Sequence, residues 1–300
     1  MVYASFAGDS LALGAHWIYE PDVIARDFGR VESFLKPAEG SYHSGKRKGD
    51  FTHYGDQALV LLRSVAETGA FDIQSFFEAW RKFFDDYSGY RDRATRASLQ
   101  SFSVGRSPVE GGSDSNDLAG AVRISPLVYL YRDDPALLDS SAAAQTAMTH
   151  NDPETVQCAG FLGAVAAAVL HGAPPVDAML TEAEKRFSGS MVEQWVRAGV
   201  ASRDSDSVKA IARFGRTCHT PEAFPGVVHL VARHENSLKE ALVQSVMAGG
   251  DSAARNMAVG MILGARLGYE GIPPSFIEEL NAGEEIAALL AKLDEGENRK

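Results

Sequence analysis

The sequence predicts an all-α fold in a single domain over residues 1–300, and three observations predict it. Apolar residues recur at the helical period along most of the chain, helix-start signals mark its elements, and no run of alternating β-branched residues reads as a strand. Because the periodicity persists from the first segment to the last, one continuous core is expected.

Taken in order, Asp56 to Glu67 is apolar at Leu59, Leu62, Val65 and Ala66, with Asp56 placed to cap the helix. Phe71 to Phe84, Thr155 to His171, Pro175 to Phe187, Ser237 to Ala248 and Asn256 to Leu267 read likewise. Thr220-Pro221-Glu222 reads as a cap followed by proline at the first helical position. Two segments break the pattern, Lys36 to Tyr54 and Val104 to Asp117; loops of that length are usually functional or disordered. Neither separates regions of differing composition, so neither is a domain boundary. A loosely ordered tail is expected from about residue 293.

A chain of 300 residues that is 45% hydrophobic can bury a sizeable core. Its net charge of −11 argues against a surface that neutralises phosphates, and His43 to Lys48 is the only basic knot, so no nucleic-acid partner is expected. The two cysteines, Cys158 and Cys218, make no disulfide framework and lack the paired spacing of a zinc site, which favours a reducing, cytoplasmic setting. The first residues lack the charged and apolar regions of a signal peptide. The tract Ala159 to Leu170 is too short to span a bilayer and reads as a buried helix, so no membrane association is expected.

Four polar clusters interrupt the apolar pattern: Gly8-Asp9 with His16, His53 to Gln57, Thr149 to Asp152, and Gly249 to Arg255. Each alone has an ordinary structural explanation. Asp9 suits a helix-terminal carboxylate, Asp56 and Asp251 suit caps beside glycine, and Thr149 suits a cap; Asp251 and Arg255 also form an i,i+4 pair.

As an ordered set, together with Ala121-Val122-Arg123-Ile124-Ser125-Pro126-Leu127, these clusters resemble the ADP-ribosylglycohydrolase family from about Gly8 to Ala265. The resemblance implies a compact orthogonal multi-helix bundle whose central cleft holds paired divalent cations, normally magnesium, between aspartates of the second and last motifs. It also implies hydrolysis of the bond joining ADP-ribose to an acceptor, and hence an ADP-ribose-like ligand or an ADP-ribosylated substrate as partner. A hard cation on carboxylates can orient ribose hydroxyls and a water and stabilise charge in the transition state.

Carried over by position, the resemblance is uneven. The family's Thr-Asp-Asp is matched to Tyr54-Gly55-Asp56 or Gly55-Asp56-Gln57, keeping one carboxylate. The last motif, Asp-x-Asp-Thr after two glycines, keeps Asp251 with Ser252 beside it, but Ala253 and Ala254 stand where the second aspartate and the threonine belong. The implied metal ligands are therefore Asp56, Asp251 and Ser252, holding at most one magnesium ion tightly. The glutamate that follows the first-motif aspartate becomes His16, counted from Asp9. An imidazole can act as a base near neutrality but replaces a carboxylate poorly as a hard-cation ligand, and His16 equally suits an aromatic wall beside Trp17 and Tyr19.

The segments HWIY, HYGDQ and GGDSAAR resemble a branch of the family that includes the J-class crystallins and selenoprotein J. Arg255 stands beside the lost ligands, where a guanidinium could grip a diphosphate. The family's diphosphate-binding turn falls on Asp114 to Gly120, making Ser115, Asn116, Asp117 and Gly120 candidate ligand contacts, though acidic Asp114 and Asp117 suit a cation or sugar hydroxyl better. His150 matches a histidine that contacts nucleotide or ribose, with Asp152 beside it; Tyr54 completes the implied substrate contacts. The leading expectation is a ribosyl hydrolase with a degenerate metal site, with Asp9 and His16 as catalytic groups. A silent ligand-binding or crystallin-like structural protein is the alternative, and a hydrolase of another ribosyl or nucleoside substrate, with His16 as base, is a third.

Overall fold

The computed structural model describes residues 1–297. In its first half it carries α1 (Val2–Leu13), α2 (Pro21–Phe28), α3 (His53–Thr68), α4 (Ile73–Asp85), α5 (Arg93–Ser103), α6 (Ala119–Val122), α7 (Ser125–Tyr131), α8 (Pro135–Ala147) and α9 (Pro153–Leu170). The second half carries α10 (Pro175–Arg186), α11 (Met191–Ala201), α12 (Ser207–Phe214), α13 (Thr220–Arg233), α14 (Leu238–Met247), α15 (Ser252–Leu267), α16 (Pro274–Glu278) and α17 (Gly283–Glu297), with a 3-10 turn at Tyr269–Gly271. Among the described residues the extended pairing is limited to two isolated bridges, Ser113 with His150 and Asp117 with His219. The fold is all-α, as the periodicity predicts.

Several helix starts differ from their sequence reading because other residues complete the caps. Thr52, not Asp56, caps α3 by accepting from the Tyr54 N–H, which places Asp56 inside the first turn and takes His53 and Tyr54 out of the expected loop. Asp152 caps α9 through the Thr155 N–H, so Thr149 is free for another role. Position His219 begins α13 without a side-chain cap, and the Thr220 hydroxyl instead meets that of Thr155 at 2.9 Å. The expected loose tail overlaps α17, which stays helical through Glu297 with Leu293 buried; residues 298–300 lie outside the described residues.

Helix α9 has 18 residues and is apolar enough to cross a membrane by length and composition, longer than the tract Ala159 to Leu170 suggests. In the fold it is core: Cys158, Phe161, Leu162, Val165 and Ala166 are fully buried, and α9 packs on α8, α10, α6 and α15. A helix apolar on all sides belongs inside a protein as readily as inside a bilayer.

The most extensive packing joins α1 to α15. Both are built from small residues, and the backbones nearly touch: a Cβ added at Gly260 would lie 2.2 Å from the Ala4 carbonyl oxygen, and one at Gly8 2.5 Å from that of Asn256. The Asn256 amide also donates to the Gly8 carbonyl at 3.1 Å. Gly8 meets Asn256 and Ala4 meets Gly260, so the helices run antiparallel. The end of α1 is thereby brought to the start of α15, which is what places His16 beside Asp251.

Candidate functional site

The starts of α3, α5 and α15 converge on the end of α1. Asp9 accepts from the Thr52 N–H at 2.7 Å and from the Thr52 hydroxyl at 2.6 Å, so a buried carboxylate fixes where α3 begins. A Cβ at Gly55 would lie 2.6 Å from Asp9 Oδ2, which is why that turn of helix carries glycine. From this anchored start the Tyr54 hydroxyl donates to Asp251 Oδ2 at 2.9 Å, while Asp251 Oδ1 caps α15 through the Ala254 N–H at 3.1 Å. His16 Nδ1 stands 3.9 Å from Asp251 Oδ1, and neither side chain is exposed.

A second line of groups reaches the same point. Asp92 caps α5 through the Thr95 N–H, and its Oδ2 lies 3.3 Å from His53 Nε2, within ion-pair reach though off the line of a straight hydrogen bond. His53 Nδ1 is 3.1 Å from His43 Nε2, and the His43 ring centroid is 5.4 Å from that of His16. Both ring nitrogens of His16 are buried without a hydrogen-bond partner among the described residues. Buried polar groups left unpaired are few in folded proteins and call for an explanation.

Trp17 closes the site. Its φ of 65° is left-handed, the only positive φ at a non-glycine among the described residues, and such strain costs about 1–3 kcal/mol. Two bonds hold it: the Trp17 N–H donates to the Gly250 carbonyl at 3.1 Å, and the Gly250 N–H to that of Ile18 at 2.8 Å. The turn lays the indole on His16, stacked at 4.4 Å, with Tyr42 and Tyr90 edge-on to the indole at 5.0 and 5.2 Å. Tyr42, His43 and Tyr90 also line a pocket of about 240 Å³ between two loops.

Burial governs the electrostatics. It pushes the Asp9 carboxyl up to about 7 despite the Thr52 hydrogen bonds, and raises Asp251 despite those from Ala254 and Tyr54. Burial, reinforced by the neighbouring His53 ring and Arg255 guanidinium, holds His16 well below the usual imidazole range, and burial beside His16 and His53 takes His43 down to about 2. For Asp92 burial is outweighed by His53, His150 and the Thr95 side chain, which keep it well below the usual carboxylate range. His16 and His43 are therefore neutral at pH 7, with lone pairs able to accept a hydrogen bond.

The other candidates divide. Asp56 and Asp251 share no partner: Asp56 Oδ2 pairs with Lys46 at 2.5 Å, accepts from the Tyr87 hydroxyl at 2.6 Å, and lines a surface groove with Arg63 and Glu285. From α3 it is Tyr54, rather than Asp56, that reaches Asp251. Ser252 is buried beside Asp251, its hydroxyl unpaired among the described residues. Arg255 Nη2 donates to the Ser245 and Gly249 carbonyls at 3.1 and 2.5 Å, bracing the turn before Asp251, while its Nε and Nη1 are buried without a partner among the described residues. Asp9, expected as a catalytic group, has both oxygens engaged by Thr52.

The expected diphosphate turn is also engaged internally. Ser115 Oγ accepts from the Asp117 N–H, the Asn116 carbonyl accepts from the Thr220 N–H, and the Gly120 N–H donates to the Asp117 carbonyl. Gly120 is packed against His150, 2.6 Å from a built Cβ to the His150 Cβ. His150 Nδ1 lies 2.9 Å from the Thr149 hydroxyl, which accepts from Arg123 at 2.5 Å; its Nε2 is unpaired among the described residues. Asp152 serves as the α9 cap.

Sequence reasoning passed over His43, His53, Asp92 and Arg123 as individual site groups. The Asp-x-x-Thr spacing of Asp92 and Thr95 carried a cap signal, but His43 lay inside a basic knot that reads as surface charge. Arg123 is buried, bonds Gln57 Oε1 at 2.6 Å, and is brought by burial down to about 10.

Comparison with known proteins adds three findings. The sequence profile described as ADP-ribosylglycohydrolase matches residues 1–300. Crystallin J1A of Tripedalia cystophora is 23% identical over 97% of this chain and 94% of its own length, and ADP-ribosylarginine hydrolase Tri1 of Pseudomonas putida (strain GB-1) is 22% identical over 82% of this chain and 66% of its own. A solved chain of an ADP-ribosylglycohydrolase-related protein complex has the same fold, with TM-score 0.76 and 21% identity over 98% of this chain and 96% of that one.

Proposed function

The chain belongs to the ADP-ribosylglycohydrolase family, and from that membership we propose that it hydrolyses a ribosyl glycosidic bond in an ADP-ribose-like substrate with side-chain groups in place of paired magnesium. The observation that carries this reading is the unpaired His16 ring beside Asp251, backed by the line from His43 through His53 to Asp92. Thr52 at the cap supports matching Thr52-His53-Tyr54, in place of Tyr54-Gly55-Asp56, to the family's Thr-Asp-Asp, a match in which an imidazole and a phenol stand for two carboxylates. With Asp56 held by Lys46 and Asp251 held by Tyr54, the donor set does not fit a pair of hard cations that want near-octahedral oxygen ligands.

In this reading neutral His16 takes a proton from the attacking water, whose oxygen bonds to the ribose carbon as the leaving group departs with the electron pair of the glycosidic bond; Asp251 stabilises the imidazolium until its proton is returned, through solvent, to the leaving group. The Asp251 carboxylate also opposes positive charge that develops on the ribose carbon as the glycosidic bond breaks. Trp17, Tyr42 and Tyr90 exclude bulk water once substrate is enclosed. The test is release of ADP-ribose or the matching ribosyl product from a panel of N- and O-linked conjugates, comparing the natural chain with His16→Asn. Loss of turnover in the variant supports the reading, and unchanged turnover removes His16 from it.

The second reading is a ligand-binding or structural protein. It is favoured by the similarity to crystallin J1A and by the closure of His16, Tyr54 and Asp251 from solvent. ADP-ribose that raises the melting temperature without any conjugate being turned over supports this second reading.

A further inference from the structure

Beside the closed centre lies a group of donors that hydrolysis as described above does not use. Asp117, Cys218 and His219 each offer one ligand atom, a carboxylate oxygen, a sulfur and an imidazole nitrogen, all within 4.8 Å of one another. Asp117 Oδ1 and His219 Nδ1 are already 3.5 Å apart. Tetrahedral ligation with bonds of about 2.0–2.3 Å places ligand atoms roughly 3.3–3.7 Å from each other, so a small closure of the thiol completes three corners.

The frame is rigid. The Leu118 N–H donates to the Cys218 carbonyl at 2.9 Å and the Thr220 N–H to the Asn116 carbonyl at 2.8 Å, pairing the two loops on either side of the Asp117–His219 bridge. The Asp251 N–H donates to the Arg216 carbonyl at 2.9 Å, tying the same loop to the start of α15. Donors far apart in sequence are thus fixed as neighbours, which is why cysteine spacing alone gave no zinc signal. Sulfur and imidazole donors favour borderline cations over magnesium.

We propose that Asp117, Cys218 and His219 hold one divalent cation of the zinc class, with the fourth position open to water. The negative charge of Asp117 and Asp251 draws a cation in, and the exposed His219 gives it a path from solvent. On binding, the Cys218 S–H proton, held toward Asp117, passes to solvent as the sulfur–metal bond forms, and His219 takes the Nε2–H tautomer so that its Nδ1 lone pair faces the ion, the Asn116 amide that lies 2.7 Å from it turning aside. This site stands apart from the hydrolytic reading, because its test needs no substrate.

Titration of the chelator-treated chain with cobalt(II), a spectroscopic stand-in for zinc, reads the site directly. One ion per chain is expected, with a thiolate-to-cobalt charge-transfer band that zinc bleaches by displacement. The band should vanish in Cys218→Ser, persist in Cys158→Ser, and require at least ~tenfold more cobalt in His219→Ala. Absence of the band in the natural chain, or its persistence in Cys218→Ser, overturns the proposal.

Discussion

The Tyr54 hydroxyl donates to Asp251 across 197 residues of chain, joining the start of α3 to the start of α15 inside the core. Replacing it by Tyr54→Phe leaves Asp251 Oδ2 buried with one donor fewer and should destabilise the fold by about 1–3 kcal/mol. Thermal or denaturant unfolding measures this. A loss below ~0.5 kcal/mol would mean that the hydroxyl is readily replaced by water.

Asp9 and Thr52 form a second such tie, with both carboxylate oxygens committed. Asp9→Ala strands the Thr52 N–H and hydroxyl and should cost on the order of 2–4 kcal/mol. The change should lower the unfolding midpoint in urea while leaving the m-value unchanged. Stability equal to the natural chain would show that α3 starts correctly without its anchor.

The caps also explain what the sequence could show. Amphipathic stripes and the ordered polar clusters made the helices, the family and the Asp251 region legible, because they depend on local spacing. The register of α3 was not legible: Asp56 and Thr52 are both ordinary cap residues, and only the tertiary contact of Thr52 with Asp9 decides between them. His43 joins His53 only because the long loop after α2 folds back over α3, which periodicity does not encode.

Asp56 therefore serves as a control. Because its carboxylate is paired with Lys46 and Tyr87, Asp56→Asn should leave ADP-ribose binding within about twofold of the natural chain, whereas Asp251→Asn should weaken it by ~tenfold or more. Calorimetry or a melting-temperature shift with ADP-ribose measures both. Equal losses in the two variants would return Asp56 to the site.

His150 gives a pH signature. Burial, with the Arg123 charge next to it, takes its pKa down to about 4, against roughly 6.5 when unfolded. Between those values the unfolded chain binds more protons, so this contribution is full above pH 6.5 and is lost as pH falls toward 4. Asp9, raised to about 7, works in the opposite direction over part of the range, so the comparison needs a variant. His150→Gln should lose less stability than the natural chain between pH 6.5 and 4, by up to roughly 3 kcal/mol. Parallel curves would mean that His150 titrates normally in the fold.

The most direct measurement is turnover of a ribosyl conjugate by the natural chain, His16→Asn and Asp251→Asn, each with and without added magnesium after chelation and dialysis. Side-chain chemistry at His16 and Asp251 predicts ribosyl product from the natural chain at a rate that magnesium does not change, and its loss in both variants. Turnover that strictly requires magnesium, turnover that survives both substitutions, or no turnover by the natural chain on any conjugate would contradict it.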